Sequence, residues 1–187
     1  SGSPLSLFVS RLLAREMGGE LSATRTQEGV MLRLTAPAKF ARDAHEDSNS
    51  KDLTPFEAAR GLMCDRTVLL VEDNAANQKV LEAYLKPVQP KKILAAHNGE
   101  AALSLLAHEK CDLVLMDTQM PVMNGLAATH MIRASGKEWS DVPIIAISAG
   151  ERSEEREAAF TAGANAFLSK PLSADDLYEK IVRVASA

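Results

Sequence analysis

The stretch DLVLMDTQMPVMNG, residues 112–125, decides how the rest of the chain is read. DLVLMD (112–117) is a short apolar run closed by a carboxylate, and GLAATHMIRAS (125–135) after it has helical character. A run of that length fits a buried strand, so the segment reads strand, polar loop, helix. The same unit recurs on both sides. Upstream, TVLLVE (67–72) and KILAA (92–96) are strands. A helix over 75–86, capped by Asn74 and carrying Val80, Leu81 and Leu85, lies between them, and a helix over 99–109 follows with Leu103 and Leu106 inward. Downstream come strand VPIIAIS (142–148), a polar helix (152–163) stopped by Gly163, strand AFLS (166–169) and closing helix ADDLYEKIVRVA (174–185). In that last helix Leu177, Ile181 and Val184 share one face.

Strands that alternate with helices predict an α/β domain with a parallel sheet and right-handed crossovers. Strands buried on both faces account for the continuous apolar runs. Asn98-Gly99 could form a hairpin turn, but EAALSLLA after it has helical period and propensity, so a helix start is expected.

Composition excludes several functions. The 187 residues are 46% hydrophobic and 25% charged, a globular mix with only 4% aromatics. A net charge of −4 offers no electrostatic footprint for nucleic acid. No run of 18 apolar residues exists, and the apolar start is broken by Arg11, Arg15 and Glu16 with no cleavage motif after it; no membrane contact and a cytoplasmic location are expected. Cys64 and Cys111 have no metal or disulfide spacing, which fits reduced thiols.

Residues 37–53 are polar and aperiodic and read as a linker. Thr54-Pro55-Phe56-Glu57 is a capping box with Pro at the first helical position, so the 37–65 connection is expected to hold a short helix over 55–63, weakened by Gly61. The regular α/β part spans 66–187.

In an open parallel sheet, ligands bind beyond the carboxyl ends of the strands. Those ends carry Glu72-Asp73, Asp117, Ser148 and Lys170-Pro171. Three clustered carboxylates repel one another unless a cation neutralises them. Hard oxygen donors suit Mg2+, which keeps waters and accepts a phosphoryl oxygen. One carboxylate can then attack phosphorus while Lys170 and Ser148 contact the other phosphoryl oxygens, and Ala149 leaves room for the group.

VLLVEDN, LVLMDTQMPVMNG, IIAISA and FLSKP together resemble the receiver domain of two-component response regulators, in order and over residues 67–187. Asp73, Asp117, Ser148 and Lys170 follow one another at intervals of 44, 31 and 22 residues. The resemblance implies a flavodoxin-like five-stranded parallel sheet of order 2-1-3-4-5 with helices on both faces. It implies Asp117 as phosphoacceptor, Mg2+ held by Glu72, Asp73, Asp117 and the Gln119 carbonyl, Ser148 and Phe167 as a switch pair, and a cis bond before Pro171. The implied partner is a histidine kinase or histidine phosphotransfer protein. MPVMNGLAATHMIRAS and KEWSDVPIIAISA resemble receivers attached to hybrid sensor kinases. Gln119 and Gly150 stand where the family tunes dephosphorylation; Gly150 has no side chain to orient water, so a long-lived phosphoryl group is expected.

Residues 1–36 read as a helix, a Gly18-Gly19 stop and two strands around Glu28-Gly29. They resemble the last helix and hairpin of a histidine-kinase ATP-binding domain. Pro4 and Ser6 stand where that family has glycines, and Pro offers no amide to phosphate, so no ATP site is expected. The segment is read either as part of a longer hybrid kinase or as the end of a degenerate kinase domain. Its apolar face needs cover, from the receiver or from a second copy in a homodimer.

Other readings compete. Phe167 is equally well an ordinary core aromatic. The acidic run Glu151, Glu154, Glu155, Glu157 reads as a solvated helix face or a docking face, and His130 as solvated. His45-Glu46 resembles the phospho-accepting pair of kinases but lacks the amphipathic helix around it. The chain could be a docking module that never carries phosphate. It could also be an aspartyl-nucleophile phosphatase, but Gln119 stands where that mechanism needs a proton-exchanging Asp. A flavin-binding flavodoxin shares the fold, but these acids would repel the flavin phosphate.

Overall fold

The computed structural model describes residues 20–26, 29–35, 53–150 and 153–186. Two compact units are present, Ser1–Ser50 and Lys51–Ala187.

In the first unit, β1 (Glu20–Thr26) and β2 (Gly29–Thr35) form an antiparallel hairpin, with Glu20 opposite Thr35 and Thr26 opposite Gly29. The two strands expected around Glu28-Gly29 are therefore present. The helix expected before Gly18, the altered glycine box and His45-Glu46 lie outside the described residues.

The second unit runs α1 (Pro55–Met63), β3 (Thr67–Val71), α2 (Ala75–Leu85), β4 (Lys92–Ala96), α3 (Gly99–His108), β5 (Leu113–Asp117), α4 (Gly125–Ala134), β6 (Ile144–Ser148), α5 (Ser153–Ala162), β7 (Ala166–Ser169), α6 (Ala174–Ala185). All five strands of its sheet are parallel, in the order β4-β3-β5-β6-β7. Counted within this sheet, that is the anticipated 2-1-3-4-5.

Strand period explains the layers, because successive side chains leave opposite faces. Val68 and Leu70 of β3 join Leu81, Leu85, Leu177 and Ile181 in one core. Leu69 and Val71 point the other way, into a core with Leu106, Met116, Ala128 and Ile132. Both faces of the strand are thus covered by helices, as the unbroken apolar runs require.

Local signals set the helix ends. Asn98 caps α3 by accepting from the Ala101 N–H, so Asn98-Gly99 starts a helix. Thr54 and Glu57 close the capping box of α1, and Gly163, at φ +106°, ends the segment after α5.

Two expectations are corrected. Val80 is half exposed, because Leu81 and Leu85, four residues apart, define the buried stripe of α2 and Val80 lies about 100° off it. The 55–63 helix is no loose part of a linker. Ala59 and Met63 are buried in the core of the second unit, and the Phe56 ring packs on Tyr178 of α6 with centroids 5.5 Å apart. Burial of a Met and an Ala on one stripe outweighs the cost of the exposed Gly61.

Candidate functional site

Each strand-end residue takes its place from the element before it. Glu72 follows β3, and its N–H still bonds the Ala96 carbonyl at 3.1 Å, so the side chain enters the sheet edge almost fully buried. Its Oε1 accepts from Asn77 Nδ2 at 2.9 Å. Asp73, one residue on, faces outward and is exposed. Asp117 is the last residue of β5 and is buried; its Oδ1 accepts from the Gln119 N–H at 2.9 Å. Lys170 follows β7 at a cis Lys170–Pro171 bond, tied to β6 by its N–H donating to the Ser148 carbonyl at 2.7 Å.

These elements bring the charges together. Lys170 Nζ stands 2.7 Å from Glu72 Oε2 and 2.7 Å from Asp117 Oδ2. Burial alone would lower the Lys170 pKa, but hydrogen bonds to Asp117 and Glu72, and their charges, hold it above its usual value. Carboxylate oxygens of Glu72, Asp73 and Asp117 lie within 4.8 Å of one another. One ammonium against three carboxylates leaves an excess of negative charge. The donors are hard oxygens close enough to share one small divalent cation, which fits Mg2+.

Ser148 ends β6 fully buried, and its hydroxyl donates to the carboxylate of Glu155 on α5. Phe167 lies on β7, half buried, packed against the cluster of Ala146, Ala159 and Ala164. Asn77, Val80, Tyr84, Lys170 and Pro171 line an open cleft of about 420 Å³ beside the acids.

Two site neighbours went unread in the sequence. Asn77 stands one turn after the cap Asn74, a spacing that would have revealed a polar partner facing the same way. Glu155 belongs to the acidic run read as a solvated or docking face, and nothing in that run tells which acid turns inward.

Among the described residues no helix is long and apolar enough to cross a membrane. Residues 68–182 match the family model described as the response regulator receiver domain. The sensor histidine kinase GacS of Pseudomonas protegens is 36% identical over 118 residues, 62% of this chain and 13% of GacS. The aerobic respiration control sensor protein ArcB of Escherichia coli is 32% identical over 174 residues, 92% of this chain and 21% of ArcB. The chain therefore spans about a fifth or less of the length of these relatives. Among solved structures, the receiver domain of sensor histidine kinase PA1611 from Pseudomonas aeruginosa is 34% identical, with TM-score 0.59, covering 66% of this chain and 99% of that one; it holds a magnesium ion in its active-site cleft. The Saccharomyces cerevisiae Ssk1 receiver, solved with the histidine phosphotransfer protein Ypd1, is 28% identical with TM-score 0.59, covering 66% of this chain and 91% of that one. A sheet edge of acids bridged by one lysine and a sequence match over most of the α/β unit lead to one conclusion: this chain belongs to the response regulator receiver domain family.

Proposed function

We propose that this chain is the phosphorelay receiver module of a hybrid histidine kinase. Asp117 accepts a phosphoryl group from a phosphohistidine of a histidine kinase or histidine phosphotransfer protein on the cytoplasmic side. A carboxylate oxygen of Asp117 attacks phosphorus, a P–O bond forms, the P–N bond breaks, and its electron pair leaves with the imidazole. The observation that carries this reading is Lys170 Nζ held 2.7 Å from both Asp117 and Glu72 with a third carboxylate close by.

Glu72, Asp73, Asp117 and the Gln119 carbonyl would hold Mg2+, which would supply positive charge to offset that of the phosphoryl oxygens. Lys170 carries a positive charge at the acceptor oxygen and keeps Asp117 oriented. Ser148 donates to a phosphoryl oxygen once the group arrives, and Phe167 repacks as α5 and β7 adjust, which presents a new face to the partner. Gly150 offers no side chain to position water, so phospho-Asp117 is long-lived. Residues 1–36 are assigned to the end of an ATP-binding domain, a reading that the β1–β2 hairpin supports, and their apolar face to contact with a second copy.

Amide NMR of the chain with Mg2+ and beryllofluoride tests the assignment. Shifts are expected at Glu72–Asp73, Asp117–Gln119, Ser148–Gly150 and Lys170, and Asp117→Asn should abolish them. A silent wild type, or an undiminished response in Asp117→Asn, overturns the reading; the silent wild type favours a docking module that carries no phosphate.

A further inference from the structure

Ser148 has one hydroxyl proton, and that proton is committed. The hydroxyl donates to the Glu155 carboxylate and accepts from the Gly150 N–H at 3.4 Å. A phosphoryl dianion on Asp117 accepts hydrogen bonds and donates none, so Ser148 could serve it only by giving the same proton. The two bonds exclude each other.

We propose that Glu155 is a positioning residue for phosphoryl acceptance, acting through Ser148: it withholds the hydroxyl in the unphosphorylated chain and must let go before Ser148 engages the phosphoryl group. This inference rests on the phosphoacceptor reading above. Three observations carry it. Ser148 is fully buried, so water does not compete for its proton. Glu155 sits half buried in the first turn of α5, turned onto the end of β6 rather than into solvent like its neighbours Glu154 and Glu157. Gly150 makes room, because a β-carbon there would overlap the Glu155 carboxylate. The overlapped atoms are the far end of a flexible side chain, so a methyl group at 150 would displace Glu155 and leave the backbone in place.

The latch also links the site to α5. Release of Ser148 frees the carboxylate and the helix turn that bears it, beside the Phe167 cluster of Ala146, Ala159 and Ala164. Phosphoryl charge and the movement of α5 are thereby coupled through one exchanged proton donor.

Beryllofluoride affinity at fixed Mg2+, read from amide shifts, tests this on the full chain. Glu155→Ala and Gly150→Ala should each bind beryllofluoride roughly tenfold more tightly than wild type, the scale of one charge-assisted hydrogen bond removed from the competing state. In a Ser148→Ala background the Glu155→Ala change should have no effect. Affinity unchanged or weakened in Glu155→Ala overturns the latch while wild-type binding still supports the acceptor reading. An equal gain in the Ser148→Ala background also overturns it, since Glu155 would then act only as a nearby charge. Absence of binding in wild type and all variants overturns both readings.

Discussion

Gly125 lies so close to the main-chain carbonyl of Asp117 that no β-carbon fits between them. The contact is backbone against side-chain space, so no rotamer change relieves it. Asp117 is paired to β6, and the Gly125 N–H donates to the Thr118 carbonyl at 3.2 Å, so neither partner can retreat. Gly125→Ala is expected to cost about 1–3 kcal/mol, as overpacking does. Urea unfolding of wild type and variant checks it, and an unchanged midpoint would refute the contact.

Asp73 is exposed and takes no hydrogen bond from Lys170, yet it stands within 4.8 Å of two buried carboxylates. Asp73→Asn removes repulsion and leaves the Lys170 bridge intact. Without metal, the variant should be more stable by about 0.5 kcal/mol. Added Mg2+ should raise the melting temperature of wild type and leave the variant's unmoved, because a ligand stabilises only the state it binds. Calorimetry with and without Mg2+ reads both effects.

Lys170 is the only cation on Glu72 and Asp117 among the described residues. Its folded pKa is raised, since its hydrogen bonds to the two acids outweigh the burial that would lower it. Its stabilisation is complete below the unfolded value of about 10.4 and fades as pH climbs through the higher folded value. Lys170→Met should cost about 2–3 kcal/mol at neutral pH, near or below the low end for a broken buried pair because the side chain is 21% exposed. Denaturation from pH 7 to 11 should show the gap between wild type and variant narrowing only at the alkaline end.

Met63 is 1% exposed, although it lies in the segment before the regular α/β repeat. Met63→Ala should destabilise the receiver unit by about 2–5 kcal/mol. A free connecting helix would show no loss in the same unfolding experiment.

The two thiols should differ in reactivity. Burial, then the charges of Asp112 and Glu109, push the Cys111 thiol up to about 11, against a smaller opposing effect of Lys92. Cys64 is exposed. A disulfide reagent at pH 8 should label Cys111 roughly tenfold or more slowly than Cys64. Equal rates would contradict the placement of Cys111.

Elements whose reasons are local could be read in advance. α6 buries Leu177, Ile181 and Val184 as their spacing predicts, and Asn98 begins α3. Val80 shows the limit, since one apolar residue beside two on the buried stripe follows the stripe and not its own hydropathy. α1 shows another: its caps were legible, but its docking on Tyr178 depends on a residue more than a hundred positions away.

Periodicity, caps and the polar residue closing each apolar run are written along the chain, because each depends on neighbours within a turn or a pleat. They were enough to name the acids, the serine and the lysine. That Glu72 and Lys170, 98 residues apart, meet at 2.7 Å, and that Glu155 turns onto Ser148 while Glu154 and Glu157 stay exposed, follow from how helices pack on the sheet. Such contacts are set by the summed shape of distant surfaces, which no local spacing encodes.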